Sequence, residues 1–441
     1  MREPMNRAAW RALWQRPGAR LALDLLLALL VFAAAIGPRL EIARGYDTPP
    51  QSEERLYNRY AIPWARGEGA EPRELAFPWH PLGSFTHRPP GYVLFLGSIY
   101  RLAGEENFAA VREVQAWMDA SSMVLILVAG CLVFGGLLGR AVGFSAALLV
   151  ARYDFLSLFV ARLLSETLYL WLSLLFVVLA LAALRWRRPS LSLAAAAALG
   201  LTNITRPFMV FVLPGYLLWL LLAPALPDKR RHLALALAGM LLTVGPVTLR
   251  NWQFHGRFIL ISTNGGYTFY KSLTEVPDLS APEEIPSEES IDALGLGEVA
   301  EQAAFRRAAL DYLRAHPADA PKIYARKLGI LWDAKGGHRI SHELMLTPDD
   351  EWLYPLVLVG ALLGLALRPR LAWHPRLLLS GSIASQYLVS LIANAEVRYR
   401  VPIVPLLALL AAWLVWGLVD WVWRRPGADR APARLAAAPS A

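Results

Sequence analysis

The chain has 441 residues, 56% of them hydrophobic and 18% charged, with a mean hydropathy of +0.38 and a net charge of +9. Soluble domains run about 45–50% apolar and about 25% charged, so this composition excludes an ordinary soluble enzyme, a disordered protein and a fibrous repeat, and it fits a polytopic membrane protein. In a soluble chain the positive charge would suggest nucleic acid; here it fits arginine in cytoplasmic loops, no nucleic-acid partner is expected, and the single Cys131 allows no intrachain disulfide.

Ten apolar runs read as membrane spans, at about 21–37, 120–138, 141–158, 163–184, 191–206, 208–224, 233–249, 353–367, 377–393 and 401–423. Segment 191–206 is the weakest, being short and alanine-rich. The stretch 92–103 (YVLFLGSIYRLA) is too short to cross and is expected to lie at the interface. Basic residues gather in the first 20 residues (Arg2, Arg7, Arg11, Arg16, Arg20). They recur at Arg185/Arg187/Arg188, Lys229/Arg230/Arg231, Arg368/Arg370/Arg376 and Arg424/Arg425. With ten spans and both termini inside, every cluster faces the cytoplasm. A cleaved signal peptide over 1–36, ending in AAAIG, is the rival reading; the basic leader and the later spans favour a retained first helix.

The expected organisation is an N-terminal transmembrane module (1–249) with a first outer segment (38–119), then an outer region (250–352), C-terminal spans (353–425) and a disordered tail (426–441). The outer region starts as an extended Ser/Thr/Gly stretch (LISTNGGYTFYKS) and continues through an acidic loop (PDLSAPEEIPSEES). Helices are expected at about 298–315 and from Asp319 to Trp332, the latter on the bilayer surface.

Charges within or beside membrane spans are costly and mark function by default. Glu166, Arg206, Arg250, Glu396, Arg398 and Arg400 all fall at the outer ends of spans, as do Arg152, Asp154 and Arg162 around one outer turn. Interfacial snorkelling and ion pairing between helices is the plainer explanation for any one of them. In SEERLYNRYAIPWARGEG, Ser52 can cap a helix whose first turn holds Glu53 and Glu54, with Leu56, Tyr60 and Trp64 on one face. On spacing alone the two carboxylates simply complement the helix dipole. In HRPPGY, residues 87–92, Pro89 and Pro90 force an extended approach that holds His87 and Arg88 near the membrane surface. Arginine there can grip phosphate; a rigid surface corner is the competing reading. The chain contains no Walker loop, no GxGxxG after a strand, no HExxH, no His/Cys cluster and no Asp-x-Asp pair.

Taken in order, these pieces resemble the bacterial GT-C integral-membrane glycosyltransferases of the family 39 type, the protein-mannosyltransferase and lipid A aminoarabinose-transferase branch. The matching elements are EERLYNRYAIPWARGEG, HRPPGYVLFLGSIYRLAG, LSETLYLWL, GLTNITRP, PVTLRNWQFHGRFILISTNGGY and EVRYRVPIVPLLALLAAW. The resemblance implies an all-α polytopic fold of the GT-C type, with about ten transmembrane helices and two outer segments bearing interfacial helices. It implies an inner-membrane enzyme that moves a sugar from a polyprenyl-phosphate donor to a lipid, glycan or protein acceptor at the outer face. An aspartate in the family's first outer loop corresponds by spacing to Glu53, a departure that leaves Glu54 and Asp47 open for the role. The acidic residue of the span-four motif corresponds to Glu166, and the basic residue of the Pro-Pro element to Arg88, with His87 beside it. A carboxylate can take the acceptor proton during an inverting displacement, while Arg88, Arg206, Arg250, Arg398 and Arg400 are candidates to stabilise the leaving phosphate. Lipid phosphate is already a good leaving group, so no cofactor is required and a divalent metal is left open. Three alternatives stand beside this reading: a transporter or flippase of lipid-linked sugars, a glycan ligase or polymerase using a lipid diphosphate, and a catalytically dead scaffold. A transporter would be expected to show repeated halves and a polar midplane site, and neither is evident.

Overall fold

A computed structural model describes residues 17–68, 86–223, 226–276, 282–332, 348–367, 372–393 and 395–423. The basic leader, the Arg368/Arg370 and Arg424/Arg425 clusters and the C-terminal tail lie outside the described residues. The described chain is helical, without strands. Each of the ten expected spans falls on a helix, in chain order α1 (Pro17–Gly45), α4 (Phe108–Phe134), α5 (Gly136–Ala151), α7 (Glu166–Trp186), α8 (Pro189–Thr205), α9 (Val212–Leu222), α10 (Lys229–His255), α15 (Pro348–Leu367), α16 (Trp373–Ile392) and α17 (Val404–Trp423). Between them lie α2 (Ser52–Arg66), α3 (Gly91–Ala103), the short α6 (Asp154–Ser157), α11 (Gly265–Thr274), α12 (Glu288–Asp292), α13 (Glu298–Ala315) and α14 (Asp319–Trp332). This is the all-α polytopic architecture expected from the sequence.

The helices differ in reach. Among the described residues, four are long and apolar enough to cross a membrane: Gly18–Gly45, Phe108–Phe134, Glu166–Trp186 and Lys229–His255. Helix α5 passes the same test only together with the short helical run Asp154–Val160, into which it bends by 66°. The run 208–224 is also interrupted: a turn at Pro207–Met209 precedes only 11 residues of α9. Proline cannot supply the backbone donor a continuous helix needs there. The expected span 120–138 starts earlier, at Phe108, where Asn107 accepts from the Ala110 amide at 3.1 Å, and it stops at Phe134. Gly135 and Gly136 both adopt positive φ and end it.

Small residues bring the helices together. A Cβ on Gly130 would meet the Gly143 Cα at 2.5 Å, so α4 and α5 touch backbone to backbone. Nearer the start of α4 and the end of α5, a buried ion pair ties them to α1: Arg39 on α1 bonds Asp119 on α4, and its Nη1 donates to the Ala151 carbonyl at 3.0 Å. At the other end of α1, Asp24 takes a bidentate grip from Arg140 at 2.6 and 2.7 Å.

The segments expected outside the membrane meet at one end of this bundle. Helix α2 has a capping box, but Gln51 is its N-cap and Ser52, expected as the cap, adopts φ 41°. The buried face of α2 is Glu54, Tyr57, Tyr60 and Ala61, not Leu56, Tyr60 and Trp64; Trp64 is 43% exposed. Helix α3 crosses close against this side of α2. A Cβ at Gly97 of α3 would lie 2.9 Å from the Ala61 carbonyl. Helices α13 and α14 occupy the expected ranges, whereas the expected extended stretch near 265–272 is helix α11.

Candidate functional site

At that end of the bundle a cavity of about 600 Å³ opens between α2, the His87–Pro90 turn, the end of α8, α11 and the turn before α17. Ligand pockets of small-molecule sites span this size. Its lining includes Glu53, Tyr57, His87, Arg88, Arg206, Tyr267, Lys271, Glu396, Arg398 and Tyr399.

The charged side chains form an alternating chain drawn from five separate segments. Arg206, just past the end of α8, pairs with Glu166 Oε1 at 3.0 Å. Arg398 Nη1 reaches the same Glu166 oxygen at 3.3 Å and Glu53 Oε2 at 2.7 Å. Glu53 Oε1 accepts from Arg88 Nη1 at 2.5 Å. Glu396 closes the outer side by accepting from Arg398 Nε at 2.5 Å. Exposure grades along the chain: the Glu166 side chain is 1% exposed, Arg398 13%, Glu53 21% and Arg88 26%. The Glu53–Arg88–Arg398–Glu396 end is therefore the more open to a ligand, while Glu166 is a buried spacer between two guanidiniums.

Electrostatics sharpen this. Burial pushes the Glu53 carboxyl up, but Arg398, Arg88 and Arg206 together outweigh it and hold Glu53 well below the usual carboxylate range. Burial disfavours the Arg398 cation, yet Glu396, Glu53 and Glu166 more than offset that and keep it charged. Arg88 is likewise raised, burial being overcome by Glu53. The Arg88 guanidinium also sits 5.5 Å from the Tyr57 ring centre, and Arg206 lies 5.3 Å from that of Tyr399, so aromatic faces hold both cations in place.

The other expected site residues separate from this group. Glu54 is buried and faces away: Oε1 accepts from Arg162 Nε at 2.9 Å and from the Leu163 amide at 2.8 Å, and Oε2 from the Gln51 amide at 2.9 Å. It clamps α2 to the turn before α7. Asp47 is exposed on the linker after α1, beside the carbonyls of Tyr46 and Thr48 that Arg112 holds at 2.5 and 2.8 Å. Arg400 is fully buried, 4.2 Å from the Tyr354 ring centre, and does not line the cavity. Arg250 bonds Asn251 at 2.8 Å on α10, also away from the lining. His87 lines the cavity, with its ring 6.1 Å from that of Tyr267.

Sequence reasoning missed the α11 wall. Asn264, Tyr267, Thr268 and Lys271 all line the cavity and share one helical face. Their i, i+3, i+4, i+7 spacing was available, but the Gly-Gly pair and the Ser/Thr content favoured an extended reading. Among the described residues no group of three His, Cys, Asp or Glu side chains gathers in a way that could hold a metal ion.

Comparison with known structures places this all-helical bundle, with its charged cavity at one end, among the folds of membrane glycosyltransferases. The chain is similar to the oligosaccharyltransferase AglB from Archaeoglobus fulgidus in complex with an inhibitory peptide and a dolichol-phosphate, with a TM-score of 0.56 at 12% identity. The alignment covers 91% of this chain and 51% of that one, so the chain spans about half the length of AglB. The apo form of the Archaeoglobus fulgidus oligosaccharyltransferase gives a TM-score of 0.55 at 14% identity, over 91% of this chain and 51% of that one. ArnT from Cupriavidus metallidurans bound to undecaprenyl phosphate aligns over 92% of this chain and 79% of its own at 16% identity, with a TM-score of 0.39. No family model and no curated protein matches the sequence. The fold expected from the resemblance is thus the fold the chain adopts.

Proposed function

We propose that the protein is a membrane glycosyltransferase that moves a sugar from a polyprenyl-phosphate donor to a hydroxyl-bearing acceptor at the outer face of the inner membrane, with inversion. The observation that carries this reading is the engagement of Glu53 by Arg88 and Arg398 at the cavity's open end. One carboxylate and two cations thus share the space where an anionic leaving group and a nucleophile would meet. The GT-C fold adds support, as does the presence of dolichol-phosphate in the AglB complex.

An apolar groove of about 530 Å³ between α9 and α10, lined by Leu213, Leu237, Leu241, Val244, Trp252 and Phe258 among others, suits a prenyl chain. It adjoins the cavity at the start of α9, where Phe211 lines one and Leu213 the other.

In this reading the donor phosphate competes with Glu53 for Arg88 and Arg398. Glu53, released, accepts the acceptor's hydroxyl proton while the acceptor oxygen attacks the anomeric carbon. The bond from that carbon to the phosphate oxygen breaks, and its electron pair leaves with the phosphate. The donor is a diester with one negative charge; the product monoester carries about −1.5 to −2. Negative charge therefore grows through the reaction, and Arg88, Arg398 and Arg206 stabilise the late state more than the early one.

The test is turnover in vesicles containing the purified protein and undecaprenyl-phosphate sugars, hexoses and pentoses in turn, with release of undecaprenyl phosphate as the readout. Release by the wild type and its loss in Glu53→Gln supports the assignment. Consumption of a lipid diphosphate sugar and of none of the monophosphate donors would replace it with the ligase alternative.

A further inference from the structure

Behind the cavity lies a second polar cluster that the proposed chemistry does not use. Glu298, the first residue of α13, is 8% exposed. Its Oε1 accepts from Thr86 Oγ1 at 2.8 Å and from Thr263 Oγ1. Thr86 Oγ1 also lies 2.7 Å from Nε2 of His255, in the last turn of α10. Thr86 Oγ1 thus joins Glu298 and His255 in one cluster. The Thr86 carbonyl accepts from the Thr263 amide at 3.0 Å. The N-terminus of α13 and the Arg250 guanidinium add positive potential around Glu298.

What this cluster holds is the backbone that carries Arg88. Thr86 precedes His87 and Arg88 directly, and Pro89 and Pro90 stiffen the chain on the far side. The guanidinium that reaches Glu53 thus hangs from a short segment pinned at Thr86. The other end of the pin belongs to the cavity's second wall. Helix α13 packs so tightly on α11 that a Cβ at Gly266 would meet the Gln302 carbonyl at 1.9 Å. Helix α11 in turn carries Tyr267 and Lys271.

Resting on the functional reading above, we propose that Glu298 is a positioning residue: through Thr86 it sets the Arg88 segment, so that the grip on the donor phosphate depends on the docking of α11 and α13. Glu298 touches no reacting atom. Its effect passes through Thr86 to Arg88, and the α11 wall and the phosphate grip move as one unit.

Two measurements on the full-length protein test this: hydrogen exchange at residues 87–92 without ligand, and titration with undecaprenyl phosphate. Glu298→Ala and Thr86→Val are each expected to speed exchange at 87–92 and to weaken undecaprenyl phosphate binding about tenfold, the loss of roughly one charge-assisted hydrogen bond. The double variant shows no further loss, and Thr86→Ser restores both readouts. In an Arg88→Ala background, Glu298→Ala changes the affinity no further. Unchanged exchange at 87–92 in Glu298→Ala overturns the proposal, as does an undiminished effect of Glu298→Ala in the Arg88→Ala background. Should the wild type not bind undecaprenyl phosphate at all, the donor reading fails and the exchange result alone decides the role of Glu298.

Discussion

Arg398 donates to Glu53 at 2.7 Å across 345 residues of sequence, so the start of α2 and the turn before α17 complete each other. Neither carboxylate oxygen of Glu53 is idle, since Arg88 occupies the second. A carboxylate held this way is a poor base until something replaces it on the guanidiniums.

Glu53→Gln removes the competitor for those cations. The variant is expected to fold, to lose transfer, and to bind undecaprenyl phosphate more tightly than the wild type, by about tenfold for one removed charge contact. Titration of purified wild type and variant checks this, and weaker binding by Glu53→Gln would contradict the competition.

Glu54→Ala separates the neighbouring carboxylates. It leaves Arg162 buried without its main anion, a change that costs about 3–5 kcal/mol when a buried pair loses one partner. A large drop in thermal stability is expected, in contrast to Glu53→Gln. Equal stability of the two variants would remove the structural role assigned to Glu54.

Arg398→Ala would remove the cation that Glu53, Glu166 and Glu396 share. Thermal unfolding at neutral pH should show destabilisation, and adding Glu396→Gln should recover part of it by removing one of the stranded charges. Additive losses would argue that Glu396 does not belong to the same network.

Lys327 supplies a pH test outside the spans. It is buried on α14, donates to the Leu391 carbonyl, and burial lowers its pKa to about 7. The unfolded lysine titrates near about 10.4, so between about pH 7 and pH 10 the unfolded state holds the extra proton and stability rises with pH. Lys327→Met should stabilise the protein at pH 7 and flatten that slope. A slope unchanged in the variant would assign the pH dependence to other groups.

Gly245 on α10 lines the apolar groove, and a Cβ there meets nothing within 4 Å. Gly245→Phe should therefore fold, fill the groove and weaken binding of undecaprenyl phosphate, while sparing a short-chain prenyl phosphate of about ten carbons. Equal losses for both lipids would mean that the groove does not hold the chain.

Hydrophobic run length was enough to locate the helices, and the outer-end arginines and glutamates were legible as a set because charges are costly there. Pairing was not legible. Composition and charge do not distinguish Glu53 from Glu54, and only the motif spacing points to Glu53; adjacent residues of a helix point about 100° apart, one into the cavity and the other into the clamp with Arg162. Arg400 and Arg398 are two apart and diverge in the same way, one against Tyr354 and one into the cavity. The Arg39–Asp119 pair is not legible in the sequence because each residue lies in or beside an apolar run whose facing helix and register the sequence does not give.

The alternating chain contains three arginines (Arg88, Arg206, Arg398) and three glutamates (Glu53, Glu166, Glu396). With all six ionised, its sum is zero. Any one charge reversal would leave two like charges in contact within a partly dehydrated space, so these positions are not free to drift singly over generations. Across relatives that share this cavity, they should change in compensating pairs or not at all. That pattern can be sought in sequences alone, before any protein is made.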